Sequence, residues 1–330
     1  MDSQVTSIDT HLTSLRLNEA ASEIADRMAD QADLLRVRTS RLSSGARVVD
    51  AGVEAEGGLK AGLAISEICM GGLGNVATTA VQIGSGTYPG LLVWTDHPAV
   101  ACMASQYAGW AISVGKFFAM GSGPLRAHAR VERELFEKLS YEERADEGVL
   151  VLEGRTLPTD EVALWVAGKA GLQPAQLTFV VAPTASLAGG VQISARIVET
   201  ALHKMETLGF DVRRVVSAFG TAPLAPVAKN DLRAIGRTND CILYGGQAWF
   251  TIRAGDAELE KLAAQVPASA SRDYGTPFYQ IFQRYGGDFY QIDPLLFSPA
   301  EVWLTSTESG RTFHAGRLNP EVLEASLYGT

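Results

Sequence analysis

Leu177-Thr178-Phe179-Val180-Val181 leads, through Gly189-Gly190, into Val191-Gln192-Ile193-Ser194-Ala195-Arg196-Ile197-Val198-Glu199-Thr200-Ala201-Leu202-His203-Lys204-Met205, and residues 211–219 are again mostly apolar. The first run is short, almost wholly apolar and rich in β-branched and aromatic residues, which predicts a buried strand. Wound at about 100° per residue, the second places Ile193, Ile197, Val198, Ala201, Met205 and Leu208 on one arc, with Gln192, Arg196, Glu199 and His203 opposite. It therefore predicts one long amphipathic helix over 189–210. The third run reads as a further strand. Strand, helix and strand in succession argue for an α/β fold.

The same alternation extends in both directions. Asn18 suits the N-cap of a helix containing Ile24 and Met28. A strand is predicted over 47–53, a helix over Leu59–Cys69, strands over 76–83 and 91–95, and a helix from Ala99 to Tyr107 after Pro98. A charged helix follows over 131–139, then a strand over 149–152 and a helix capped by Thr159, with Asp160 and Glu161 in the first turn where the helix dipole favours acids. Near the end, 302–307 and 311–315 flank Glu308-Ser309-Gly310, a hairpin signal. Chains longer than roughly 250–300 residues usually divide their core, and this one has 330. The expected organisation is a polar leader over 1–17, a first α/β lobe over 18–150 and a second over 151–330, with the chain free to cross between them.

The net charge of −9, without a dense basic run, argues against nucleic acid as a partner. Cys69, Cys102 and Cys241 are too few and too far apart for a disulfide framework or a zinc knuckle, and they suit a reducing cytoplasmic setting. The leader has no apolar segment of the signal-peptide kind, and no stretch reaches the ~20 apolar residues of a membrane span. The five histidines lie at 11, 97, 128, 203 and 314, none at helical metal-ligand spacing with another.

Chemistry concentrates in a few places. Arg196 and Glu199 are i and i+3 on the helix and can meet. On a solvated face that is an ordinary ion pair of about 0.2–0.5 kcal/mol. In a pocket, the guanidinium holds the carboxylate ionised and aims it at the proton of a water. His203 is a possible third member. Gly121-Ser122-Gly123-Pro124 is a tight turn whose amides can cradle an anion. Gly71-Gly72-Leu73-Gly74-Asn75-Val76-Ala77 matches a dinucleotide-binding pattern in the wrong context, because it follows a helix and precedes a strand. The aromatic segment from Tyr274 to Tyr290 can sandwich a flat heterocycle or fill a core or interface.

Several of these blocks together resemble the methenyltetrahydromethanopterin cyclohydrolases. They are Glu67-Ile68-Cys69-Met70-Gly71-Gly72-Leu73, Gly121-Ser122-Gly123-Pro124, Ser194-Ala195-Arg196-Ile197-Val198-Glu199-Thr200-Ala201, Ala234-Ile235-Gly236-Arg237-Thr238-Asn239-Asp240 and residues 273–294. The resemblance runs in order from about Asn18 to the C-terminus. It implies two interlocked α/β lobes with a substrate cleft between them, a homotrimer, and a site needing neither metal nor cofactor. It also implies reversible hydrolysis of a methenyl group carried by tetrahydromethanopterin or its dephospho form. The family's Arg and Glu, three residues apart, fall on Arg196 and Glu199. Beside this catalytic pair, the expected substrate contacts are Ser122 and Gly123 in the turn, Arg126, Lys229 and Arg237 toward an acidic tail, Asn239 and Asp240 on the pterin edge, and Tyr274 and Tyr279 stacking on it. The alternatives are a nicotinamide-dependent dehydrogenase of the same carrier, which needs a dinucleotide loop, and a non-catalytic pterin-binding protein, which does not need Arg196 or Glu199.

Overall fold

The computed structural model describes residues 15–288 and 291–329. The leader up to residue 14 and the aromatic pair Phe289 and Tyr290 lie outside the described residues. The chain forms two compact units, Met1–Gly74 with Ala99–Gly189, and Asn75–Pro98 with Gly190–Thr330. The expected break at 150 is corrected: that residue lies inside a strand of the first unit. The chain instead passes over after Gly74, returns after Pro98 and passes over again after Gly189. Local signals could not locate this break, because a buried strand reads the same whichever sheet takes it up.

In chain order the elements are α1 (Leu17–Asp30), β1 (Arg38–Arg41), β2 (Arg47–Asp50), α2 (Leu59–Cys69), β3 (Gly74–Ile83), β4 (Gly86–Thr95), a π-helix (Ala99–Gln106), β5 (Trp110–Val114), β6 (Phe117–Ser122), α3 (Leu125–Ala129), α4 (Arg133–Leu139), β7 (Gly148–Glu153), α5 (Asp160–Ala170), β8 (Leu177–Val181) and α6 (Leu187–Ser194). Then come α7 (Ile197–Thr207), β9 (Val215–Pro223), α8 (Asp231–Gly245), β10 (Gln247–Ile252), α9 (Asp256–Ala263), α10 (Phe278–Arg284), β11 (Glu301–Ser306), β12 (Thr312–Gly316) and α11 (Pro320–Tyr328).

The first unit holds a six-stranded sheet in the order β1-β2-β8-β7-β6-β5. Its centre, β2, β8 and β7, is parallel, and its margins are antiparallel. Alternation along each strand sends Val49, Val151 and Val180 to a face covered by Ile24, Met28, Ile65 and Ile68 of α1 and α2. Val48, Leu150, Leu152, Phe179 and Val181 go to the opposite face, which carries Val162 and Val166 of α5. Burial on both faces is why 177–181 has no polar alternation. Thr159 caps α5 as expected. Asn18 does not cap α1, which begins one residue earlier. It is buried, donates to Pro124 O at 3.1 Å and accepts from Val149 N at 3.1 Å, tying the helix to β7 and to the start of α3.

The second unit holds a six-stranded sheet in the order β12-β11-β10-β9-β4-β3, with β10 and β11 parallel. Helices α7 and α8 pack against it. The hairpin signal at 308–310 is realised as the turn between antiparallel β11 and β12. Residues 211–219 differ in part from the expected strand: Asp211 accepts from Arg213 N and starts a 3-10 turn, so β9 begins at Val215.

Candidate active site

The expected helix over 189–210 is two helices. Ala195 and Arg196 form a turn between α6 and α7. Arg196 N donates to Ile193 O at 3.0 Å, a three-residue closure that ends α6, while Arg196 O accepts from Thr200 N at 2.9 Å and opens α7. Arg196 is thus the N-cap of α7, and Glu199 lies in its first turn, where the positive end of the helix dipole favours a carboxylate.

Neither residue is on a solvated face. Gln192, Arg196 and Glu199 are 1%, 8% and 5% exposed, which removes the surface ion-pair reading. Gln192 Oε1 accepts from Arg196 Nη2 at 3.0 Å and from Nε at 3.3 Å. A neutral amide thus orients the guanidinium without adding a competing negative charge. A buried arginine and a buried carboxylate are costly to keep out of water, so such an arrangement is expected at functional rather than merely structural positions. His203 is only partly buried.

Two glycines set how deep α7 sits. A Cβ on Gly220 of β9 would lie 2.7 Å from Ile197 Cγ2, and one on Gly246 just after α8 would lie 2.4 Å from Ile197 Cδ1. Ile197, between Arg196 and Glu199, therefore presses directly onto backbone. Further along α7, the buried Lys204 donates to Leu295 O. Burial lowers the Lys204 ammonium to about 8, against the opposing pull of Asp293. The loop that receives it is fixed by Asp293, which accepts from Ser271 Oγ at 2.7 Å and Leu295 N at 3.1 Å. Asp273 in turn accepts from Tyr285 Oη and Asp293 N, each at 2.9 Å.

The other expected residues fall into two local groups. In the first unit, Ser122 ends β6 with its Oγ 3.4 Å from Cys69 Sγ, and Ser105 Oγ donates to Cys69 O at 2.6 Å. The 67–73 and 121–124 blocks therefore meet. Gly123 takes φ +99 and donates its N–H to Ser105 O at 2.8 Å. Arg126 corrects an expectation. It is fully buried, pairs with Glu132 at 2.8 Å, donates to Ser105 O at 3.0 Å and stacks over Tyr107. It clamps its own unit and does not present a guanidinium to an acidic tail.

In the second unit, the 234–240 block meets the 273–294 block. Asp240 is also corrected. It is fully buried and accepts from Phe278 N at 2.9 Å and from Ser326 Oγ, joining α8, α10 and α11. Burial pushes its carboxyl up to about 7, with Ser326 and Phe278 N opposing. Asn239 donates to Ile235 O at 2.8 Å. Tyr274 is partly buried 5.1 Å from the ring of Tyr244. Tyr279 lies under Arg233 at 4.0 Å, and Gly236 lets its Cβ approach α8. Lys229 is exposed, and Arg237 reaches Pro226 O at 3.5 Å.

The family model described as Cyclohydrolase (MCH) matches residues 16–327. This chain belongs to that family. Among its relatives is a methenyltetrahydromethanopterin cyclohydrolase of Methylobacillus flagellatus, 47% identical over 315 residues, covering 94% of this chain and 95% of the relative. Those of Methylobacterium organophilum and Methanococcoides burtonii are 45% and 42% identical, covering 94% and 95% of this chain and 97% and 98% of the relatives.

In this member of the cyclohydrolase family, the glycines at 71 and 72 have a packing role. They take φ +62 and +72 at the end of α2, and Cβ atoms there would lie 2.5 Å from Leu17 and 2.8 Å from Ala20 of α1. They follow a helix and precede β3, so the dinucleotide pattern lacks its strand–turn–helix frame. The role of Gln192 was legible in its i, i+4 spacing to Arg196, although it was not among the expected site residues. Lys204, Gly220 and Gly246 had no such signal, because their roles are defined only by what packs against them.

Proposed function

We propose that this chain interconverts N5,N10-methenyl-tetrahydromethanopterin, or its dephospho form, with the N5-formyl compound. The buried Arg196–Glu199 motif at a helix break, within a family match spanning nearly the whole chain, carries this reading. The methenyl carbon is a cation shared between two nitrogens and is already electrophilic. The reaction therefore needs a positioned water and a proton relay rather than a metal, cofactor or covalent nucleophile.

Glu199 takes a proton as the water oxygen bonds to the methenyl carbon. The protonated Glu199 then delivers that proton to N10 as the C–N10 bond breaks. The remaining hydroxyl proton goes to solvent, leaving the formyl group on N5 and one proton released overall. Arg196, oriented by Gln192, holds Glu199 ionised and stabilises charge on the attacking oxygen. Lys229, Asn239, Tyr274 and Tyr279 are the candidates on the second unit to meet the carrier, and the Ser122-Gly123 turn is the candidate on the first.

No helix among the described residues is long and apolar enough to cross a membrane. A cytoplasmic homotrimer completes the proposal. The test is the methenyl absorbance band on adding enzyme without metal or nicotinamide. A rapid fall, lost at least a hundredfold in Glu199→Gln, is expected. A band that stays constant with folded wild-type protein overturns the reading.

A further inference from the structure

One row of side chains crosses five strands of the second sheet in direct register. Trp94 on β4 pairs with Phe219 on β9, Phe219 with Trp249 on β10, Trp249 with Trp303 on β11, and Trp303 with His314 on β12. From Phe219 to His314 the rings are in contact. Phe219 meets Trp249 edge-on at 5.5 Å, Trp249 stacks on Trp303 at 4.5 Å, and Trp303 stacks on His314 at 4.7 Å. The next row on the same face is hydroxylic, Ser217, Thr251, Thr305 and Thr312, with Thr305 and Thr312 hydroxyls 2.9 Å apart. Gly220, next to Phe219, points to the opposite face, against α7. The aromatic row is therefore on the face that α7 does not cover.

This face is open and almost uncharged. Trp94 and Phe219 are 38% and 39% exposed, and a shallow cavity runs from Leu92 and Trp94 across Phe219 to Trp249 and Thr305. Its charged groups are Asp96 at one end and Glu301, which is bound to His314 and to Gln247 Nε2. Neither arginine nor lysine is on either row. A flat sheet face normally carries charges or is covered by a further layer. With the row of Leu92, Thr221, Gln247 and Glu301 on the other side of the aromatic one, three rows over five strands make a patch of about 24 by 20 Å at ~4.8 Å between strands and ~3.4 Å per residue. That footprint of about 480 Å² is on the scale of the largest patches that monomers leave exposed, and it makes up the centre rather than the whole of the ~800 Å² per partner of a standard interface.

We propose that this aromatic face is where copies of the chain pack on one another. Each copy carries a net charge of −9, so copies repel least where charge is sparse, and this face has Asp96 at its margin and a Glu301 already bound to His314 and Gln247. The proposal rests on the oligomer reading above and names its surface.

The test is light scattering on full-length protein after size exclusion. Wild type is expected at about three times the 35.2 kDa chain mass. Phe219→Lys and Trp94→Lys each place one like charge per copy on the face and are expected to elute as monomer at concentrations where wild type stays assembled. Thr305→Arg on the hydroxylic row does the same without touching an aromatic ring, should the others fail to fold. Leu164→Lys, on an exposed position of α5, keeps the wild-type mass. Circular dichroism checks that each variant is folded. Folded face variants that keep the wild-type mass overturn the face while leaving the oligomer standing. A monomeric wild type overturns both and gives the face to another occupant. Methenyl turnover is read separately, so failure of the activity reading is distinguishable.

Discussion

Replacing Gly220 by Ala tests whether the depth of α7 matters to catalysis. The added Cβ would meet Ile197 Cγ2 at 2.7 Å, with Ile197 Cγ1 and Val198 Cγ2 both at 3.2 Å. Carbon atoms prefer about 3.5–4.0 Å, so the first turn of α7 must lift by several tenths of an ångström to about 1 Å. Overpacking of this kind costs about 1–3 kcal/mol. The same lift carries Arg196 and Glu199, which flank Ile197, and a 1 Å misplacement can cost on the order of a hundredfold in rate. Turnover is expected to fall about 10- to 100-fold while the protein remains folded. Ile197→Ala in the same chain removes both nearest carbons and should restore part of the lost rate, giving a favourable coupling in the double-mutant cycle. Gly220→Ala within twofold of wild type, or a double variant no better than the single one, would refute the positioning argument.

Gln192→Leu removes the acceptor of two Arg196 hydrogen bonds; at about 1.5–3 kcal/mol for bonds to a charged group, kcat is expected to drop tenfold or more with little change in KM. Steady-state kinetics check this, and an unchanged kcat refutes the orienting role. Asp240, raised to about 7 in the folded chain from 3.8, binds its proton more tightly folded than unfolded, so its contribution is complete below about 4 and lost as pH rises toward 7. Asp240→Asn should flatten that part of the Tm-against-pH curve, and an unaltered slope between pH 4 and 7 counts against the assignment. Lys204 is the opposite case, lowered to about 8 from 10.5: the unfolded chain holds the extra proton, so stability rises between pH 8 and 10.5. Lys204→Met should remove this rise, as thermal melts across that range would show.

Elements whose burial is local were legible in the residues alone. Leu59–Cys69 and Leu177–Val181 have the bounds that their apolar patterns give, because period and composition report which face is dry. Spacing also placed Arg196 and Glu199 together, since three residues of helix bring side chains to one side regardless of context. The break between them and Gln192 was not legible. Nothing in Ser194-Ala195-Arg196 disfavours a helix, and the turn exists only because Arg196 closes back on Ile193. Arg126 and Asp240 had the right chemistry for a ligand, but only the fold shows that Glu132, Phe278 N and Ser326 already occupy them. The aromatic row is the clearest case. Trp94, Phe219, Trp249, Trp303 and His314 are scattered over more than two hundred residues and gain a shared face from strand register alone. Register is a long-range property, set by which strands pair, and no local pattern encodes it.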